Sequence, residues 1–327
     1  MSPDPRTALV LHADCGRHDT GWRHPEHQGR LPAIVRAIER DTPALLDRIE
    51  QIEAVPAPAE VVERVHSDAH VAAIRDLASR ALELGRPAFV NTDTAVSDAS
   101  FEAASAAAGC AVDAALRVAR GRAPTAFALS RPPGHHASRD RPLGFCLFNN
   151  VAIAARALQA EERVGRILIV DWDVHHGNGT QDVFYEDPSV YYLSLHQAPW
   201  YPGTGAIAER GAGPGRHTTL NVPLAAGTAR DEYLCRFRRA LDAAFDGFAP
   251  EFVLVSAGFD ALRGDPLGRL TLEPADFHAM MLDVLERART TAAGRVAAVL
   301  EGGYAPERLG HAVVDTIRAF AGLPPRD

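Results

Sequence analysis

The sequence predicts an α/β protein built on one mostly parallel central sheet of about eight strands, with helices on both faces. Three observations point there. Short apolar runs recur along the whole length, with helical patterns between them. The run Arg166–Val170, bounded by Gly165 and Gly177, is continuous rather than alternating, as in a strand buried on both faces. Several runs end in glycine and polar clusters, where such sheets place their ligands.

The first strand is predicted at Thr7–Leu11. Others follow at Ala126–Leu129, Arg166–Val170, Val190–Leu195, His217–Leu224, Phe252–Ser256 and Val296–Leu300. Helical patterns cover roughly 31–40, 99–119, 150–160, 230–247 and 274–292. No repeat or low-complexity linker divides the chain, so residues 1–327 are expected to form a single catalytic domain. The stretch 197–216 is rich in glycine and proline and lacks periodicity. A loop of that length just after a strand end is expected to form the rim of a site.

Bulk properties exclude some functions. A hydrophobic fraction of 46% is ample for a core. A net charge of −8 argues against a nucleic-acid-binding surface and suits a cationic substrate only weakly. Ala103–Ala119 is apolar but carries Asp113 and Arg117, so it reads as a buried helix and not a membrane span. Met1–Thr7 is polar, with Pro3 and Pro5, and shows no leader pattern. Cys15, Cys110, Cys146 and Cys235 are scattered without a C-x-x-C pair, which fits a reduced compartment; a cytoplasmic protein without membrane contact is expected.

Four predicted strand ends carry reactive groups. The first is Arg131-Pro132-Pro133-Gly134-His135-His136, a fixed turn followed by two histidines. The second is Asp171-Trp172-Asp173-Val174-His175-His176-Gly177-Asn178. Its Asp171, Asp173 and His175 would project to one side if the chain stays extended. The third is Ala257-Gly258-Phe259-Asp260, and the fourth is Glu301-Gly302-Gly303-Tyr304. Any one of these alone fits a cap or a solvated turn. Four on one sheet edge are hard to explain without a site. Asp173, His175 and Asp260 make a three-ligand zinc site with positions left open, as catalytic zinc requires. His135 and His136 are the candidates for a general base, and Asp171 and Asn178 are polar partners for them. Tyr304 can donate to a developing oxyanion. The set describes metal-assisted hydrolysis of an amide.

These residues fall in R-P-P-G-H-H-A at 131–137, D-W-D-V-H-H-G-N-G-T-Q at 171–181 and Y-Y-L-S-L-H at 191–196. They continue in S-A-G-F-D-A at 256–261, G-D-P-L-G at 264–268 and L-E-G-G-Y at 300–304. In this order, from His24-Pro25-Glu26 to Tyr304, the chain resembles the zinc-dependent histone deacetylases of the arginase/deacetylase fold. Within them it is similar to class II, with its bacterial histone-deacetylase-like and acetylpolyamine amidohydrolases. The resemblance implies one catalytic Zn2+ on Asp173, His175 and Asp260. It makes His136 the general base and His135 an electrostatic companion bonded to Asp171, and it gives Tyr304 the acyl carbonyl. Asp265 would support the site from behind. Gly144 and Phe145 would form one wall of an acyl-lysine tunnel, and Trp200 and Tyr201 the other. A structural K+ would sit on Asp171, the carbonyls of Asp173 and His175, Ser194 and the backbone of Leu195.

Asn178 matches class II, where class I has Asp. A neutral partner holds His136 without raising its pKa as an anion would. Cys146 reads as a buried inert thiol. Arg30 reads equally as part of an internal acetate path or as a surface ion pair. Asp93 reads as a rim residue or as a turn or helix cap. A two-manganese site of the arginase kind lacks carboxylates here, since His176, Asn178 and a single Asp260 occupy the positions. A non-catalytic acyl-lysine reader would have lost a ligand, a base or the tyrosine, and none is missing. Polyamine-selective relatives can carry Glu where this chain has Leu267, and they tend to have a long N-terminal insertion that is not seen here. The expected substrate is therefore an acyl-lysine peptide or protein, with a small acetylated amine as the alternative. Oligomeric state does not follow from the sequence.

Overall fold

The computed structural model describes residues 6–326. Most of the Met1–Thr7 stretch lies outside the described residues. Eight strands form one sheet in the order β2-β1-β5-β10-β9-β6-β7-β8, and every pairing is parallel. They are β1 (Thr7–Leu11), β2 (Ile49–Glu53), β5 (Thr125–Ala128), β6 (Ile167–Asp171), β7 (Val190–Gln197), β8 (Thr219–Leu224), β9 (Phe252–Ala257) and β10 (Val296–Leu300). Two short strands, β3 (Ala88–Phe89) and β4 (Ala95–Val96), pair as a separate antiparallel hairpin.

Side-chain alternation splits the core into two layers, because successive strand residues face opposite sides. Leu168, Val170, Val253 and Val255 point to one face. There they pack under α1 (Arg30–Arg40), α8 (Arg230–Phe248), α9 (Pro274–Thr291) and α10 (Pro306–Phe320). Ile167, Ile169, Phe252 and Leu254 point to the other face, under α4 (Asp68–Leu84), α5 (Ser100–Ala119) and α6 (Asn150–Glu162). Each such side chain, fully buried, contributes roughly 1.5–3 kcal/mol. The Ala-rich stretch is α5, buried as expected, and no described helix is long and apolar enough to cross a membrane.

The seven predicted strands and five predicted helices are present within a few residues. The strand expected from His217 starts at Thr219, because His217 takes a left-handed φ of 76°. The sheet's eighth strand, β2, was not predicted. Its sequence Ile-Glu-Gln-Ile-Glu is half exposed at the sheet edge, so it carries no continuous apolar run. Helices α4 and α10 also fall outside the prediction, although Ser67 caps α4 and Pro306 opens α10. Three short α-helices, α2 (Thr42–Leu45), α3 (Ala59–Val62) and α7 (Asn178–Phe184), and two 3-10 turns at Ala13–Gly16 and Gly213–Gly215 complete the elements of the described residues.

The order of the central strands positions the site. The four strands whose ends carry reactive groups, β5, β10, β9 and β6, are consecutive neighbours. All run parallel, so their C-terminal ends meet along one edge.

Candidate active site

Asp173, His175 and Asp260 converge just beyond that edge. Among the described residues they are the one group of three such side chains whose ligand atoms lie within 4.8 Å of one another. Strand β6 stops at Asp171, so Asp173 and His175 are presented by a bend rather than by extended chain. His175 Nδ1 lies 3.0 Å from Asp173 Oδ1 and 3.1 Å from Asp260 Oδ2. The remaining carboxylate oxygens are held by backbone amides. Gly302 N donates to Asp173 Oδ2 (2.9 Å) and Val174 N to Asp260 Oδ1 (2.8 Å). A Cβ on Gly302 would collide with both carboxylates, which explains a glycine there.

The three groups are almost wholly buried. Burial, with Asp173 beside it, pushes the Asp260 carboxyl up to about 7. Burial opposes a charge on His175, yet the two carboxylates hold it up at about 10. Two buried acids around one imidazole thus call for positive charge at their centre. Two carboxylates and one imidazole suit a divalent ion such as zinc, with room for further ligands.

The two histidines after β5 are held differently. His135 Nδ1–H donates to Asp171 Oδ2 (3.0 Å), which also accepts from the Tyr192 hydroxyl (2.9 Å). Burial disfavours a charged His135, but Asp173 and Asp171 outweigh it and push the ring up to about 10. His136 Nδ1–H donates to Asn178 Oδ1 (2.8 Å), which leaves Nε2 with a free lone pair. Burial, then His135 and His175, hold His136 well below the usual histidine range. The surroundings thus push the two imidazoles in opposite directions, with their ring centroids 4.1 Å apart. Tyr192 was not among the expected site residues; its Y-Y-L-S-L-H motif was its only mark in the sequence.

Tyr304 faces the same cavity. Asp265 supports it through the backbone, with Tyr304 N donating to Asp265 Oδ2 (2.7 Å). Arg30 lies over its ring at 5.1 Å and donates to the carbonyls of Glu301 and Gly303. Arg30 is fully buried, which overturns its reading as a surface ion pair. It shares the Glu26 carboxylate with Arg131, whose Nε and Nη2 donate to Glu26 Oε1 (2.7 Å) and Oε2 (3.0 Å). Burial would raise the Glu26 carboxyl, but the two guanidiniums hold it down at about 2. Glu26 and Arg131, both motif residues, and Arg30 thus form a charged cluster behind the tyrosine.

A cavity of about 260 Å³ leads down to His136, His175 and Tyr304. Gly144 and Phe145 form one wall. Both take left-handed φ angles (53° and 68°), and a Cβ on Gly144 would strike the His136 ring. Phe145 has no such freedom, so its backbone is strained to present the ring. Trp200 and Tyr201 form the opposite wall. The Tyr201 ring meets His136 edge-on at 5.4 Å, and Trp200 Nε1 donates to Leu267 O (2.8 Å). Leu267, Pro266 and Asp93 line the mouth. Asp93 also sits in a turn, taking the Thr94 hydroxyl on its carboxylate, and it caps no helix. Cys146 is fully buried, and burial pushes its thiol well up. All four cysteines are free thiols. Ser194 and Leu195 lie on β7 beside this edge, Ser194 pairing in register with Asp171.

Comparison with known proteins follows the same outline. The family described as "Histone deacetylase domain" matches residues 24–320. The chain is 40% identical over 311 residues to "Histone deacetylase 10, chloroplastic" of Oryza sativa subsp. japonica, covering 92% of this chain and 70% of that protein. It is 36% identical to a "Probable deacetylase" of Archaeoglobus fulgidus, covering 97% and 87%. Among solved structures, the HDA15 HD domain superposes with a TM-score of 0.90 at 35% identity, covering 98% of this chain and 91% of that one.

The convergent ligand set gives a direct expectation. If Asp173, His175 and Asp260 hold Zn2+, Asp260→Ala is expected to weaken its binding by more than the ~10–100-fold typical of losing an outer-shell partner. Competition against a chromogenic chelator reads this, and unchanged affinity would remove Asp260 from the ligand set.

Proposed function

The chain belongs to the histone deacetylase family, and we propose that it is a zinc-dependent amidohydrolase that removes acetyl or another short acyl group from acyl-lysine side chains. The observation that carries this reading is the tunnel. Aromatic walls lead to the His136 imidazole, the Tyr304 phenol and His175, the member of the buried Asp-His-Asp cluster that lines its floor. Asp173, His175 and Asp260 would hold the ion. Bound there, zinc polarises an amide carbonyl and acidifies a water.

The chain's own groups divide the remaining work. Phe145 and Tyr201 pack on the methylenes of a linear side chain and exclude water from its amide. His136 Nε2 accepts the proton of the attacking water and returns it to the leaving amine. His135, bonded to Asp171 and pushed toward its charged form by Asp173 and Asp171, favours negative charge developing nearby. Tyr304 donates a hydrogen bond to the acyl oxygen, with its backbone fixed by Asp265. A structural K+ held by Asp171, the carbonyls of Asp173 and His175, Ser194 and the Leu195 backbone belongs to the same proposal. The register pairing of Asp171 with Ser194 supports it by putting the two side chains on one face. At the mouth Leu267 stands where polyamine-selective relatives can carry Glu, which leaves Asp93 as the one acid lining the cavity among the described residues and favours acyl-lysine over an acetylated polyamine.

Steady-state rates on an acetyl-lysine peptide, acetylspermidine and acetylputrescine, with zinc-loaded and chelated enzyme, test the proposal. Zinc-dependent turnover preferring the peptide is expected. Preference for either polyamine would overturn the substrate assignment. Tyr304→Phe is expected to lower kcat by ~10²–10³-fold with bound zinc unchanged; full turnover would remove the tyrosine's role. For Asn178→Asp the sign follows from charge. An anion beside Nδ1 raises the His136 pKa, and the base works only when neutral. The acidic limb of the kcat/KM profile should therefore move to higher pH, and an unmoved limb would count against His136 as the base.

A further inference from the structure

Glu301 is fully buried, and neither the metal cluster nor the tunnel uses its side chain. It directly follows β10 and directly precedes the paired glycines, yet its carboxylate reaches the neighbouring strand ends. Oε2 accepts from Gly134 N (2.6 Å) and His135 N (3.1 Å). Oε1 accepts from the Ser256 hydroxyl (3.2 Å), at the end of β9. Its backbone N–H donates to Ala257 O, and its carbonyl accepts from Arg30. One side chain therefore joins the ends of β5, β9 and β10 beneath the two histidines.

We propose that Glu301 is a positioning residue that fixes the height and direction of the His135–His136 pair above the floor of the tunnel. The inference rests on the proposed role of that pair. The turn is tied at its start, where Arg131 binds Glu26 and the carbonyls of Cys15 and His18 and Asn150 Nδ2 donates to Pro132 O, and Asp171 holds the His135 ring; the Gly134 and His135 amides rest on Glu301. From the opposite side Thr180 N donates to His135 O (3.0 Å), and Asn178 sets the His136 ring. Glu301 closes the frame from below. Without it two consecutive buried amides lose their acceptor, and such groups do not stay unpaired. The turn must then shift to satisfy them, which carries both imidazoles with it. The acceptor oxygen matters here rather than the charge. Burial pushes the Glu301 carboxyl up to about 7, opposed by His135 and the Gly134 amide. The neutral acid still offers a carbonyl oxygen to both amides.

Three substitutions separate position from charge. Glu301→Gln keeps the reach and an acceptor oxygen, and its amide can donate to Ser256 Oγ. Glu301→Asp keeps the charge but falls a methylene short. Glu301→Ala removes both. In zinc-loaded enzyme the expected order of kcat is parent, Gln, Asp, Ala. The alanine variant should lose about 10²-fold, the scale of a misplaced catalytic group, while KM changes little. Hydrogen exchange at the Gly134 and His135 amides, read by NMR without substrate, should stay slow in the Gln variant and quicken in the Asp variant. Asp equal to or better than Gln in kcat, or unchanged exchange in the Asp variant, would overturn the proposal. The Gln–Asp comparison decides even if Glu301→Ala does not fold. A parent enzyme without zinc-dependent turnover would instead defeat the functional reading, and the exchange data would still judge the positioning.

Discussion

Repulsion between two buried carboxylates governs this molecule. Asp173 and Asp260 meet across His175 with almost no solvent, and water cannot screen them. Such a cluster survives only if each oxygen is separately satisfied and positive charge sits at the centre. The amides of Val174 and Gly302 meet the first need, and they belong to strand ends two positions apart in the sheet. The glycine at 302 is the space those oxygens require. The strand order places β9 between β6 and β10, so the acids and their donors arrive together. With neighbouring strands ~4.8 Å apart, four consecutive ends span only ~14 Å.

A second buried charge cluster stands behind the first. Glu26 binds Arg30 and Arg131, and Arg30 reaches the carbonyls on either side of Gly302. The tyrosine thus has a guanidinium against its ring and a carboxylate on its amide. Both clusters share the backbone of 301–304, so a disturbance in one is felt in the other.

The chemistry of the site was legible because its residues follow apolar runs at once, and an α/β sheet gathers such ends. Asp173, His175, Asp260, His135, His136 and Tyr304 were found that way and do meet in space. Resemblance supplied the rest of the outline, including Asn178 against His136 and Trp200–Tyr201 opposite Phe145. Other features left weaker marks. The edge strand β2 has a half-exposed alternating sequence and no apolar run. Arg30 reads equally as a surface residue because a charged residue at a helix start is ordinarily exposed; its carboxylate partner lies four residues earlier, before the helix begins, and its carbonyl partners lie some 270 residues on. Glu301 binds backbone amides, and an amide contact leaves no residue type to recognise in a sequence. The strand order itself depends on which helices cross which face, and local patterns do not encode that.

The walls of the tunnel and its floor have different origins. The floor is tied to strand ends, whose separation the sheet fixes. The walls come from segments that leave the sheet, around Gly144–Phe145, Trp200–Tyr201 and Pro266–Leu267, and Trp200 bonds Leu267 between two of them. Gly144 apart, where a Cβ would strike the His136 ring, positions in such segments tolerate exchange better than strand ends do. Descendants of this chain can therefore drift in what they admit while inheriting the same bond-breaking apparatus, so changes of diet in this lineage should be recorded in three short surface segments.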